Sequence, residues 1–250
     1  MPMKPHDNFT RSGFTLIELL VVIAIIAVLA GLLFPVIGKV QLRGVETRTI
    51  SNLRQVAAAM GAYSGEHDGT LPGPLSVEQY PTFGTDPKRD SGSLARLLNK
   101  YLSLSEKKSA EKSQVSGNAV LACPVVNLPE GVKLDDIAGY IMNMELVHDY
   151  EQAAWGDIKD KNEAQPLTLS ALSSWRDKSA NAITPDGSVV LARKWAMRHT
   201  DKKDCDKLML SGDWVEKLPK EPVFDDHYQT LFFDMHVESY KPVYDEKKGN

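Results

Sequence analysis

Cysteine is scarce in this 250-residue chain: two positions are too few for a disulfide scaffold or a four-cysteine zinc site. Positive charge is not in excess either. The 29 Lys and Arg stand against 33 Asp and Glu, and a formal net charge of -4 argues against a general nucleic-acid binder, so no nucleic-acid partner is expected. No nucleophile elbow, phosphate-binding loop or His-Glu-x-x-His pattern occurs, and no segment repeats. With 42% hydrophobic and 25% charged residues, the average composition excludes a disordered tail, a collagen-like chain and a polytopic membrane protein. Long apolar runs are missing too, with one exception near the N-terminus.

That exception is residues 14–34, FTLIELLVVIAIIAVLAGLLF, in which only Thr15, Glu18 and Gly31 fall outside the hydrophobic set. As a helix it would span about 31 Å, close to the roughly 30 Å of a bilayer's hydrocarbon core. So long a run does not suit the core helix of a soluble domain. It also exceeds the apolar region of about 7–15 residues in a cleavable secretory signal. No Ala-x-Ala lies inside it, and no cysteine ends it to accept lipid. Glu18 stands out, because a carboxylate inside a membrane helix costs on the order of 2–3 kcal/mol and normally marks a function or a partner. It follows a short polar leader, MPMKPHDNFTRSG, with Gly13 at the junction.

The stretch Arg11-Ser12-Gly13-Phe14-Thr15-Leu16-Ile17-Glu18-Leu19-Leu20-Val21-Val22 resembles the processing signal of type IV prepilins and type II secretion pseudopilins. The resemblance implies cleavage by a prepilin peptidase between Gly13 and Phe14, with N-methylation of Phe14 as the new first residue. Pro35 falls where that family commonly carries a helix-kinking proline. The resemblance also implies a role for Glu18: in pilin-like filaments the apolar helices pack in a central core. There this carboxylate meets the N-terminal ammonium of a neighbouring subunit. Paired, two charges become tolerable in apolar surroundings and favour one axial register.

Charge alone mildly favours the opposite orientation. The leader has Lys4 and Arg11 against Asp7, whereas the far flank has Lys39, Arg43, Arg48 and Arg54 against Glu46. The processing signal takes precedence, since the peptidase acts at the cytoplasmic face in this family. The expectation is a single-pass inner-membrane protein with a cytoplasmic N-terminus before processing and a periplasmic or extracellular head.

Past Pro35 the pattern becomes amphipathic, with Ile37, Val40, Ile50, Leu53, Val56, Ala57, Met60 and Tyr63 at helical spacing. It stops at His67-Asp68-Gly69, followed by Pro72, Gly73 and Pro74. The organisation expected is a leader (1–13), a transmembrane helix (14–34), its amphipathic continuation (35–66) and a globular head (67–250). A second helix is expected over 91–104, capped by Ser91 or Ser93, with Leu94, Leu97, Leu98, Tyr101 and Leu102 inward. Strand-like runs follow at 119–123, 140–144, 167–169, 188–192, 207–210, 228–233 and 237–240, separated by Gly, Pro, Asn and Asp. Long helix and then strands give an α+β fold: a pilin-like architecture with a mainly antiparallel sheet in the head.

Near the C-terminus, Leu231-Phe232-Phe233-Asp234-Met235-His236-Val237-Glu238 resembles the "F-x-D-G-H-V" hairpin of bacterial prepilin-like proteins. Cys123-Pro124 and Gly139-Tyr140-Ile141-Met142-Asn143 are counterparts of two further stretches of that class. Met235 stands where the class has glycine, so the turn is either of another type or strained. The class's Arg-His pair corresponds to Arg198-His199, which makes Thr200 to Asp226 an insertion.

The remaining candidates for chemistry have plainer readings. His199, Asp201, Asp204, Cys205 and Asp206 gather ligand-type side chains, but the interleaved Lys202, Lys203 and Lys207 suit a solvated loop better than a metal cage. Some pseudopilin heads bind calcium, which makes Asp225, Asp226 and Asp234 candidates. No alternating ligand loop supports it, and turn chemistry explains these residues better. No resident cofactor or metal is expected. Cys123 and Cys205 would meet an oxidising compartment if the head is exported. Either they bridge, or Cys123 is a buried thiol. The acids of 145–163 read as a solvated surface, and the four tryptophans as core or surface anchors.

The function expected is that of a structural, non-enzymatic subunit that polymerises through its N-terminal helix. Its partners would be sister subunits, the prepilin peptidase, an inner-membrane assembly platform and the lipid bilayer. The competing expectation is a membrane-anchored periplasmic binding protein or enzyme that uses the signal for delivery.

Overall fold

A computed structural model describes residues 16–83, 92–102, 120–122, 130–132, 137–144, 146–147, 152–156, 165–174, 176–177, 189–190, 195–220, 223–224 and 227–241. The chain divides into two compact units, Met1–Arg43 and Gly44–Asn250. Helix α1, Leu16–Glu66, begins in the first and ends in the second. Its C-terminal limit, Glu66, falls at the stop signal of His67-Asp68-Gly69, whereas residues 14 and 15 lie outside the described residues. Gly69 takes φ +78° and its N–H reaches back to the Ser64 carbonyl at 2.8 Å, closing the helix end that glycine's freedom permits.

In the first unit, large apolar side chains stand exposed from Leu16, 81% accessible, to Phe34, 73% accessible. In the second, α1 is amphipathic. Leu53, Val56, Ala57 and Met60 are buried at helical spacing, while Ser51, Arg54, Gln55 and Ala58 are exposed.

The head is built on a five-stranded antiparallel sheet in the order β1-β2-β7-β8-β9. Its strands are β1 (Glu78–Gln79), β2 (Tyr140–Met142), β7 (Trp195–His199), β8 (Tyr228–Phe232) and β9 (Val237–Tyr240). Two short ladders lie outside it: β3 (Leu146–Val147) with β4 (Gln152–Ala153), and β5 (Arg176–Asp177) with β6 (Val189–Val190). The α+β class and the antiparallel sheet are as expected from the sequence. Every residue of β8 is buried because both sheet faces are covered there. Leu231 and Phe233 join the core that includes Leu53, Val56 and Met60 of α1. The Tyr228 ring, on the alternate parity, receives the Arg198 guanidinium at 5.1 Å.

Four expected elements differ. The run 167–169 is no strand: Thr168 makes one bridge to Thr70, and its hydroxyl then accepts from the Ala171 N–H to open helix α3, Leu169–Ser174. The run 207–210 is likewise the end of a helix, α4 (Lys202–Lys207), which Asp201 caps through the Asp204 N–H at 2.9 Å. Residues 120–122 form a turn rather than a strand. The helix expected over 91–104 is regular only at Leu94–Leu97 (α2), continues as turns to Leu102, and is capped by Ser93. Within residues 200–220 lies a second small core, in which Cys205, Val215 and Leu218 pack with Ile137.

The β8–β9 hairpin resolves the question posed by Met235. The Met235 N–H donates to the Phe232 carbonyl at 2.9 Å and the Phe232 N–H to the His236 carbonyl at 3.0 Å. Met235 itself sits at φ +68°. This is a three-residue loop with a left-handed final position, which favours glycine and costs a side-chain-bearing residue about 1–2 kcal/mol. The Met235 side chain packs against the main core, which offsets part of that strain.

Gly73 is fixed by close approach. A Cβ there would lie 2.3 Å from the Trp155 carbonyl oxygen and 2.7 Å from Pro166 Cγ. Gly73→Ala is therefore expected to destabilise the head by about 1–3 kcal/mol. Urea unfolding of the detergent-solubilised chain, followed by tryptophan fluorescence, measures this as a lowered midpoint at unchanged slope.

Candidate functional site in the N-terminal helix

The α1 residues of the first unit form a continuous apolar surface. Fourteen large apolar side chains from Leu16 to Phe34 are exposed, and they occur on all sides of the helix. A stretch from Leu16 to Phe34 is long and apolar enough to cross a membrane. On an insertion scale, roughly -0.3 to -0.6 kcal/mol for each such residue gives about -4 to -8 kcal/mol in total. That exceeds the roughly 3 kcal/mol an intramembrane carboxylate opposes, so Glu18 does not prevent insertion. Glu18 lies in the first turn of α1, where the helix dipole favours an anion. Gly13 and Phe14, the residues of the expected cleavage and methylation, lie outside the described residues.

In the second unit α1 is held on the sheet by a polar contact as well as by its apolar stripe. Glu46 accepts from Gln229 Nε2 at 3.0 Å and from Ser239 Oγ at 3.4 Å, and it stands 3.4 Å from His227 Nε2. Gln229 is fully buried in the middle of β8, and its backbone N–H donates to His199 Nδ1 at 3.0 Å. A helix carboxylate is thus joined to an inner strand of the sheet through one glutamine. Sequence reading missed Glu46, since nothing local marks a partner 183 residues away.

The cluster around His199 is buried, which corrects the expectation of a solvated loop. Arg198 and Asp204 form an ion pair at 2.7 Å with side chains 1% and 0% accessible. Thr200 Oγ1 donates to the other Asp204 oxygen at 3.0 Å and lies 3.5 Å from Cys205 Sγ. A pair so desolvated is tolerable because both carboxylate oxygens are engaged; losing one partner would strand a buried charge. Burial raises the Asp201 carboxyl and pushes the Cys205 thiol up to about 11, so Cys205 is a buried, protonated, free thiol. Its candidate bridging partner Cys123 lies outside the described residues.

Asp206 is exposed, unlike the other four members of this cluster. Among the described residues, no group of three or more His, Cys, Asp or Glu side chains could hold a metal ion. Of the calcium candidates, Asp225 and Asp226 lie outside the described residues, and Asp234 faces the His236 ring across the hairpin turn.

Residues 8–34 match the family model described as the prokaryotic N-terminal methylation motif. The chain therefore carries a prepilin-type signal, and that signal ends where the apolar stretch ends. The match does not extend to the Leu231–Glu238 hairpin. No curated protein and no solved structure matches the chain.

Burial of His199 beside the Arg198 charge holds its imidazole neutral, with the pKa lowered from 6.5 to about 3. The unfolded chain takes up this proton first as pH falls. Stability is thus intact above about 6.5 and declines by up to about 1.4 kcal/mol per pH unit towards 3. Asp201, with its raised carboxyl, acts in the opposite sense at the acid end. Urea midpoints at pH 7 and pH 5 are therefore compared between wild type and His199→Gln. The variant is expected to lose less of its stability over that interval; an equal loss in both would assign the acid sensitivity to other groups.

Proposed function

We propose that this chain is a structural, pilin-like or pseudopilin subunit, built through its N-terminal helix into a type II secretion or type IV pilus-like filament. The observation that carries the reading is a coincidence of three features. A prepilin-type signal spans residues 8–34, residues 16–34 within it belong to a helix whose apolar surface is exposed there, and the one carboxylate in that surface lies in the helix's first turn.

In this account the precursor is a single-pass inner-membrane protein with its leader in the cytoplasm and its head outside. A prepilin peptidase removes residues 1–13, and Phe14 is methylated at its new amino group. The freed ammonium of one subunit then meets Glu18 of another as the apolar helices leave lipid for the filament core. Each charge alone disfavours that transfer, and together they set the axial register. The head decorates the filament and carries no catalytic role. An assembly platform in the inner membrane supplies the work of extraction.

Intact mass of the chain from a host expressing a prepilin peptidase should show loss of residues 1–13 and gain of one methyl group. An uncut or differently cut N-terminus contradicts the processing step. Glu18→Ala should still insert and be processed, yet fall at least tenfold in sedimentable filament. Filament yield equal to wild type would remove Glu18 from assembly.

A further inference from the structure

Helix α1 is weakest just before it enters the head unit. Pro35 has no N–H for the helical ladder, and Gly38 and Gly44 stand in the helix with open space where a Cβ would lie. Packing requires neither glycine there, and each favours the helix less than alanine would. From Ile37 to Gly44 every residue except Leu42 is exposed. Bending and fraying are therefore easiest over residues 35–44.

The apolar hold on α1 starts later. Leu53 is the first α1 residue in the main core. Over residues 44–52 the buried side chains, Thr49 and Asn52, are polar, and the Thr49 hydroxyl turns back to the Val45 carbonyl at 2.9 Å. Glu46 lies in that interval. Its Oε1 accepts from Gln229 Nε2 of β8 at 3.0 Å and stands 3.4 Å from the Ser239 hydroxyl of β9. Gln229 and Ser239 face each other across the two strands, and Gln229 Nε2 also donates to Ser239 Oγ at 2.9 Å. One carboxylate near the start of the head unit thus grips its two C-terminal strands. Hydrogen bonds to a charged acceptor are the stronger kind, and partners fixed on a sheet give them direction.

We infer that Glu46 is a boundary clamp, which stops bending and fraying of residues 35–44 from running on into the head part of α1. Closed, it makes the head unit begin near Gly44. Opened, it releases residues 44–52, about 13.5 Å of helix, up to the apolar hold at Leu53. The main core stays intact, so the opening is local. The clamp rests on contacts within the head unit alone and holds whatever receives the apolar stretch.

Hydrogen–deuterium exchange of the detergent-solubilised full chain, read by mass spectrometry, tests the clamp. Past the apolar stretch, protection of wild-type α1 should rise near Gly44. Glu46→Ala should move that rise to near Leu53. Residues 45–52 should then exchange at least about tenfold faster, as expected for losing a hydrogen bond to a charged group, with residues 53–66 unchanged. Alanine favours helix more than glutamate does, so helix propensity acts against this result. Gln229→Met removes the donor on the sheet side at similar volume and should move the boundary likewise. The double variant should add nothing to either single change. Arg48→Ala, exposed on the same segment, should leave the boundary in place. A wild-type boundary away from Gly44, an unmoved boundary in either single variant, or exchange that rises equally through residues 53–66 would overturn the inference.

Discussion

Between Leu16 and Phe34, helix α1 turns large apolar side chains outward on every side, and a surrounding other than water has to receive them. That constraint orders the rest of the molecule. A stretch this long matches the thickness of a bilayer, and its favourable transfer outweighs the opposition of Glu18 by a few kcal/mol. The carboxylate is therefore kept at a cost the stretch can bear.

The head meets the opposite condition. Its compact unit begins at Gly44, and from there α1 has one buried face and one exposed face. The buried face is secured twice, by the stripe of Leu53, Val56 and Met60 and by the Glu46 carboxylate reaching Gln229 in strand β8. On the other side of the sheet, the Arg198–Asp204 pair binds β7 to α4 and supports the small core around Cys205. Polar groups thus hold the sheet to what covers it on both faces. Such groups give direction that apolar contact alone lacks, and they make the head sensitive to acid where a buried imidazole is involved.

Much of this was legible before the structure. The apolar stretch, the stop at His67-Asp68-Gly69, strands β8 and β9 and the strain at Met235 each follow from local chemistry: run length, turn residues, alternation and a missing glycine. The segments 167–169 and 207–210 misled because their apolar residues suit strands, while Thr168 and Asp201 open helices by capping. Strands of two residues, such as β1, carry no period to detect. The Arg198–Asp204 and Glu46–Gln229 contacts were hidden because they join different elements, and no spacing rule links such positions. The chemistry of the first helix was readable because a membrane imposes its rule on consecutive residues; that of the head depends on which elements meet.

The central claim is that residues 16–34 live in an apolar surrounding supplied from outside the chain. Alkaline carbonate extraction of membranes from cells expressing the full chain tests it directly. The account predicts that the protein stays in the membrane pellet, as an integral span does. Release into the supernatant, alongside peripheral proteins, would contradict it.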